Sequence, residues 1–98
     1  MEAARAYIDA HFREETCLAD AVAESELSSR RFGELFKNNF DLTPNRYIVL
    51  RRVGYACELL RSRSFSVSEV AELSGFCDVY YFSRVFQAET GVTPKEWK

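Results

Sequence analysis

One stretch of the chain places hydrogen-bonding side chains opposite a row of apolar ones at helical spacing. In residues 79–90, a step of about 100° per residue puts Phe82, Val85 and Phe86 on one side and Arg84 and Gln87 on the other. A guanidinium can donate a fork of hydrogen bonds to guanine, and a carboxamide can pair with adenine or contact phosphate. The chemistry predicted for this face is recognition of duplex DNA. An ordinary solvated helix face would show the same pattern if it stood alone.

Residues 29–39 repeat the arrangement, with Phe32 and Phe36 on the inner side. The candidate DNA-contacting residues are Ser29, Arg30, Arg31, Glu34 and Lys37 in this stretch, and Asp78, Tyr80, Tyr81, Ser83, Arg84 and Gln87 in the other. Glu34 is unexpected on such a face because phosphate repels a carboxylate. It could accept a hydrogen bond from cytosine, position Arg30 one turn earlier, or merely be tolerated.

The charge is unevenly distributed along the chain. The formal net charge is −2 and the isoelectric point is near 5.4, values that argue against a nucleic-acid binder. Residues 1–26 hold two arginines against seven acids, and residues 27–98 hold eleven basic residues against eight acids. The balance is therefore −5 in the first segment and +3 in the second. This asymmetry favours a DNA-binding face beyond residue 26.

The composition offers little for other chemistry. There is one histidine, no nucleophile motif and no glycine-rich phosphate loop, so the sequence predicts no enzyme and no cofactor. Three cysteines without a C-x-x-C spacing suggest neither zinc nor a disulfide framework, and favour reduced thiols used as small apolar residues in the cytosol. No apolar run approaches the roughly 20 residues of a membrane span, and no signal peptide is apparent. A cytoplasmic protein is expected.

The chain contains an internal repeat. Residues 18–47 align with residues 67–97, first at an offset of 49 and then at an offset of 50. The matched pairs include Leu18 with Val67, Leu27 with Phe76, Phe32 with Phe82, Phe36 with Phe86, Pro44 with Pro94, and Tyr47 with Trp97. In each copy two short helical patterns are joined by a turn, which is typical of a helix-turn-helix unit. Gly75 ends the first helix of the second copy and tolerates a positive φ there.

Thr43 and Pro44 are predicted to open a helix that runs to about Arg61. Its apolar seam is formed by Leu50, Val53, Cys57 and Leu60, and is extended by Val49, Ala56 and Leu59. A helix this apolar is expected to pack on both sides, between the two repeated units. Arg46, Arg51 and Arg52 could reach phosphate or tie the units together, and a structural role is favoured for Arg52. The helix would be about 27 Å long, against about 34 Å between successive major grooves.

These residues resemble the DNA-binding domain of the AraC/XylS family of transcription regulators. The resemblance rests on Arg52 with Ala56, on GFCDVYYFSRVF at 75–86 and on GVTPKEW at 91–97, and it covers nearly the whole chain. It implies two helix-turn-helix units that bind adjacent major grooves of double-stranded DNA, with RNA polymerase as a further partner. The first copy departs from the pattern, because Val22 and Glu26 stand where the family has a small residue and a glycine.

The predicted fold is all-α, with about seven helices in a single domain covering residues 1–98. Residues 1–43 form the first lobe, 44–62 the linker helix and 63–98 the second lobe. The expected helices include 2–15, 18–25, 29–39 and 79–90, with a last short one after Thr93 and Pro94 that lets Trp97 seal its lobe as Tyr47 does. The domain itself is expected to be monomeric. In many relatives a separate sensing domain is present, and dimerisation of a full-length protein would rest with it.

A helical protein-interaction module with weak or lost DNA binding is the alternative, motivated by the acidic isoelectric point and Glu34. Salt dependence separates the two, because a DNA binder loses affinity steeply as phosphate contacts release counterions.

Overall fold

The computed structural model describes residues 1–97, and within them every regular element is an α-helix. The helices are α1 (Glu2–His11), α2 (Cys17–Ser25), α3 (Ser29–Phe40), α4 (Pro44–Ser62), α5 (Val67–Leu73) and α6 (Val79–Thr90). The predicted all-α class is confirmed. Lys98, the last residue of the predicted second lobe, lies outside the described residues.

Side-chain caps fix where most of these helices begin. The Ser28 hydroxyl accepts a hydrogen bond from the Arg31 amide at 3.1 Å, and the Thr43 hydroxyl accepts one from the Arg46 amide at 3.2 Å. The start of α4 at Thr43 and Pro44 was predicted. Ser66 forms a capping box at the start of α5, in which the Glu69 carboxylate accepts a hydrogen bond from the Ser66 amide at 2.9 Å. These hydrogen bonds lower the pKa of Glu69.

The turns inside the two units share a left-handed residue. Gly75 has φ +99°, which confirms the conformation predicted for it. Glu26 stands at the equivalent place in the first unit and also has a positive φ, of 60°. The first turn therefore keeps its conformation without a glycine, at the cost of the strain that a Cβ atom introduces there.

The first predicted helix is too long, and the last predicted helix is only a turn. The first helix stops at His11 rather than residue 15, because Phe12 turns into the core and the next residues form a turn that leads into α2. The short helix expected after Thr93 is a single turn, in which the amides of Glu96 and Trp97 donate to the Thr93 carbonyl at 3.0 and 3.1 Å. Trp97 nevertheless reaches the core from this turn.

The interior is divided into two clusters of buried side chains. The first core contains Ile8, Phe12, Cys17, Ala21, Phe32, Phe36 and Ile48, and the second contains Val53, Ala56, Val70, Ala71, Phe76, Phe82 and Phe86. Each is closed by the aromatic residue that the repeat predicted. The ring centroids of Tyr47 and Phe36 are 5.6 Å apart, and those of Trp97 and Phe86 are 5.7 Å apart.

The long helix α4 contributes to both cores, as predicted. Ile48 is buried in the first core, and Val53 and Ala56 are buried in the second. Leu50 was placed in the predicted seam, but it is only half-buried and belongs to neither core. Ile48 lies two residues earlier, about 200° around the helix from Leu50, and therefore points to the opposite side of α4, where it packs into the first core.

Arg52 holds the turn after α1 against α4. Its Nε donates to the Phe12 carbonyl at 2.6 Å, and a terminal guanidinium nitrogen donates to the Glu14 carbonyl at 2.9 Å. Burial lowers the pKa of this guanidinium. The structural role favoured for Arg52 is confirmed, because the carbonyls it binds belong to the turn that follows α1. Over residues 1–97, no helix has the length and apolar character needed to cross a membrane.

Candidate nucleic-acid interface

The outward face of α3 carries the first group of predicted contact residues. Ser29, Arg30, Arg31, Glu34 and Lys37 are all exposed. Their inner neighbours Phe32 and Phe36 are fully buried, so the helix cannot rotate without exposing two aromatic rings. The position of the polar face is therefore fixed by the first core.

Arg30 and Glu34 lie one helical turn apart on that face and form an ion pair. The Arg30 Nε atom is 3.8 Å from a Glu34 carboxylate oxygen, and the Arg30 side chain is 90% exposed. A pair this open contributes little to stability. It does place the carboxylate where it can limit the directions available to the guanidinium, which fits one of the three options left open for Glu34, the positioning of Arg30.

The outward face of α6 carries the second group. Tyr80 is 79% exposed, and Arg84 and Gln87 are also exposed. Within residues 1–97 the Arg84 side chain makes no ion pair or hydrogen bond, so its donors are available to a ligand. Phe82 and Phe86 anchor the opposite side of α6 in the second core.

Three other predicted contact residues of the second unit are less available than these. The Asp78 carboxylate caps its own helix by accepting a hydrogen bond from the Tyr80 amide at 2.8 Å. Ser83 is half-buried. Tyr81 is 44% exposed, and its ring packs against Phe76 with 6.0 Å between centroids. Tyr81 also lines a groove between α4 and α6.

The arginines of α4 are engaged within the protein. Arg46 forms a two-pronged ion pair with Glu89 of α6. Arg51 lies 3.2 Å from Asp9 of α1. These arginines could contact phosphate or tie parts of the protein together, and the structure provides protein partners for the second role. Glu89 had been overlooked, and no local sequence pattern links it to Arg46.

The cysteines occupy three different environments. Cys17 is buried, Cys57 is half-buried and Cys77 is exposed. Burial raises the pKa of the Cys17 and Cys57 thiols, whereas a hydrogen bond to Glu15 is the main cause that raises the pKa of the Cys77 thiol. The interpretation as a small apolar residue is wrong for Cys77, which lies in the turn just before the cap of α6. No group of three or more potential metal ligands is assembled in the part of the chain that the structure describes.

A family model described as a helix-turn-helix domain matches residues 21–98. The transcriptional activator RhaR of Cronobacter sakazakii is 40% identical over 73 residues, which cover 74% of this chain and 26% of that protein. The activator RhaS of Salmonella schwarzengrund is 35% identical over 91 residues, which cover 93% of this chain and 33% of that protein. The chain thus spans about a third of the length of the curated relatives it matches.

Solved structures share the fold over almost the whole chain. The C-terminal domain of the two-component response regulator yesN from Fusobacterium nucleatum has a TM-score of 0.92 and 29% identity, with coverage of 98% of this chain and 94% of that one. The DNA-binding domain of the transcription factor AdpA, solved in complex with a target DNA, has a TM-score of 0.88 and 26% identity, with coverage of 96% and 85%.

Proposed function

Because this chain belongs to the AraC-type helix-turn-helix family of transcription regulators, we propose that it binds double-stranded DNA sequence-specifically with α3 and α6 in consecutive major grooves. The observation that carries the proposal is the repetition of one exposed polar face, on two helices whose opposite sides are fixed by separate cores. A single chain then presents two unlike reading surfaces.

The dimensions of the molecule suit such a site. The α4 helix has 19 residues, and at 1.5 Å each it is about 28 Å long. The longest dimension of the molecule is 40 Å, and the other two are 21 and 20 Å. Successive major grooves on one face of DNA lie about 34 Å apart. A modest bend of the duplex towards the protein closes the difference.

On α6, Arg84 reads guanine through its two-donor fork, and Gln87 pairs with adenine or contacts phosphate. Tyr80 contacts a thymine methyl group or a phosphate. On α3, Arg30, Arg31 and Lys37 supply the positive charge, with Glu34 aligning Arg30. Ser29 and Ser83 are short hydrogen-bond donors at the margins of the two faces. Asp78 contributes indirectly, by capping the start of α6, and Tyr81 contacts DNA only with the exposed part of its ring.

Relatives support the biological role. AdpA was solved on a target DNA, and RhaR and RhaS are named transcriptional activators. By extension this chain regulates transcription, and RNA polymerase is a partner in that process. We further propose that residues 1–43, 44–62 and 63–98 act as first lobe, linker helix and second lobe of a monomeric domain, and that dimerisation of a longer protein would require a separate sensing domain.

Selection of bound sequences from random duplexes at fixed ionic strength tests this function. We expect an asymmetric motif, with footprinting that shows protection of two adjacent major grooves by one chain. Affinity should also fall steeply with salt, because phosphate contacts release counterions. Protection of a single groove, or a strict palindrome bound by two chains, would contradict the geometry. Absence of any salt-dependent duplex binding would favour a helical protein-interaction module instead.

A further inference from the structure

An ion pair joins the beginning of α4 to the end of α6. The Arg46 guanidinium binds both carboxylate oxygens of Glu89, with one of the two nitrogen–oxygen distances at 3.0 Å. The Glu89 side chain is only 16% exposed and the Arg46 side chain is 48% exposed. A two-pronged pair with one mostly covered partner holds a more defined geometry than a single-contact pair on an open surface.

The pair lies between the two recognition helices. Only residues 41–43 separate α3 from α4, so Arg46 is less than one helical turn from the start of α4 and close to the end of α3. Glu89 is the last residue but one of α6. The pair therefore connects the carboxyl-terminal end of α6 to the corner between α3 and α4.

A surface groove lies beside the ion pair at this junction. The groove between α4 and α6 is lined by Thr43, Asn45, Arg46, Val49, Tyr81, Val85, Ala88 and Glu89. Four other ion pairs are found within residues 1–97. One lies inside α1 and one inside α3, one joins the end of α1 to the turn after it, and one joins α1 to α4. No second ion pair of the described chain reaches α6, so Arg46 and Glu89 form the one charged link at this end of it.

We propose that Arg46 and Glu89 are a positioning pair that fixes the distance and angle between α3 and α6, and so sets the permitted spacing between the two halves of the DNA site. The inference rests on the proposed function and extends it to a residue, Glu89, that does not contact DNA. Without the pair, α6 keeps its aromatic anchors in the second core but can pivot about them. Adding or removing one base pair moves a half-site by about 3.4 Å and about 35°, and a pivoting helix can follow part of that change.

The test uses the selected site together with versions carrying one base pair more or fewer between its halves. For each protein, the ratio of affinity on the selected site to affinity on the shifted sites is measured. We expect Glu89→Gln and Arg46→Gln to lower this ratio by a factor on the order of three or more, the size of couplings between contacting residues. The exchange of both residues, Arg46→Glu with Glu89→Arg, keeps the net charge and should restore the ratio. Glu72→Gln on α5 removes the same charge without an ion-pair partner and should leave the ratio unchanged.

The ratio distinguishes positioning from a general effect, since a loss of folded protein or of charge changes affinity for all spacings alike. If the single variants bind every spacing more weakly or more tightly by one common factor, the positioning role is wrong while the proposed function stands. If the exchange fails to restore the ratio although the singles lower it, the pair itself is not the cause and the inference is also wrong. Failure of the unmodified chain to bind any duplex would overturn the proposed function, and this inference with it.

Discussion

The main-chain oxygen of Arg13 lies 2.8 Å from the point that a Cβ atom on Gly75 would occupy. The Arg52 Nε atom would lie 2.9 Å from that same point. Gly75 also has φ +99°, so a side chain there would meet both crowding and backbone strain. We expect Gly75→Ala to lower the free energy of unfolding by about 2–4 kcal/mol, the sum of a left-handed penalty and an overpacking penalty. Urea denaturation measures it.

Two other glycines separate these causes. Gly91 has φ +85° but nothing within 4 Å of an added Cβ atom, so Gly91→Ala should cost about 1–2 kcal/mol from strain alone. Gly54 lies inside α4 with open space around it, and Gly54→Ala should stabilise the protein by about 0.5–1 kcal/mol. An equal loss for Gly75→Ala and Gly91→Ala would show that the approach of Arg13 is not limiting.

A second prediction concerns Arg52. Replacing Arg52 with methionine removes two hydrogen bonds to the carbonyls of Phe12 and Glu14 and leaves those carbonyls without a charged donor. We expect a loss of about 2–4 kcal/mol in the free energy of unfolding. Arg61→Met, on an exposed position of the same helix, should change it by less than about 0.5 kcal/mol. Similar losses for both variants would mean that the Arg52 hydrogen bonds add nothing beyond an ordinary surface arginine.

A third prediction separates base reading from phosphate contact. Arg84→Ala should cost about 1–3 kcal/mol on the selected site and relax selectivity at one or two base pairs, because its donors are directed outward from α6. Lys95→Ala removes an exposed charge from the turn after α6 and, through loss of a phosphate contact, should weaken binding to all duplexes alike. Binding is compared on the selected site and on random DNA. Equal losses on both for Arg84→Ala would contradict a base-reading role.

The fourth prediction concerns Glu34, which takes the place of Arg84 in the first unit. Glu34→Gln keeps the shape and removes the charge that pairs with Arg30 at 3.8 Å. We expect general affinity to rise, since a repulsion with phosphate is lost, and selectivity to fall by about 1–3 kcal/mol in the half-site read by α3. Repeating the selection from random duplexes measures it, with Glu24→Gln on α2 as the charge control. Higher affinity with unchanged selectivity would mean that Glu34 is merely tolerated and that α6 is the dominant reader.

The repeated pattern was sufficient to predict the aromatic interior. Phe32 and Phe36 recur as Phe82 and Phe86, and all four are fully buried. The outward faces of α3 and α6 follow directly, because fixing the inner side of a helix fixes its outer side. Helix starts were equally accessible, since Ser28 and Thr43 act on amides only three residues away.

Contacts between distant residues were not accessible in this way. Arg52 is 40 residues from Phe12, whose carbonyl it binds, and Arg46 is 43 residues from Glu89. The attachment of the turn after α1 to α4 uses the first of these contacts, and the structural use of Arg46 depends on the second. Asp78 shows a related difficulty, because its residue type suits both a helix cap and a polar contact, and only the structure shows the cap.

The position of Trp97 makes the two cores optically distinguishable. It is the only tryptophan in the chain, its ring packs on Phe86 of the second core, and its Nε1 donates to the Cys57 carbonyl at 3.3 Å. The first core is closed instead by Tyr47, whose pKa is raised by burial and by its hydrogen bond to Asp9. Indole emission therefore reports the melting of the second core alone, whereas tyrosine absorbance reports both halves because Tyr81 packs against Phe76 of the second core. Comparison of indole emission with the circular dichroism of all the helices then shows whether the two halves unfold together or in sequence.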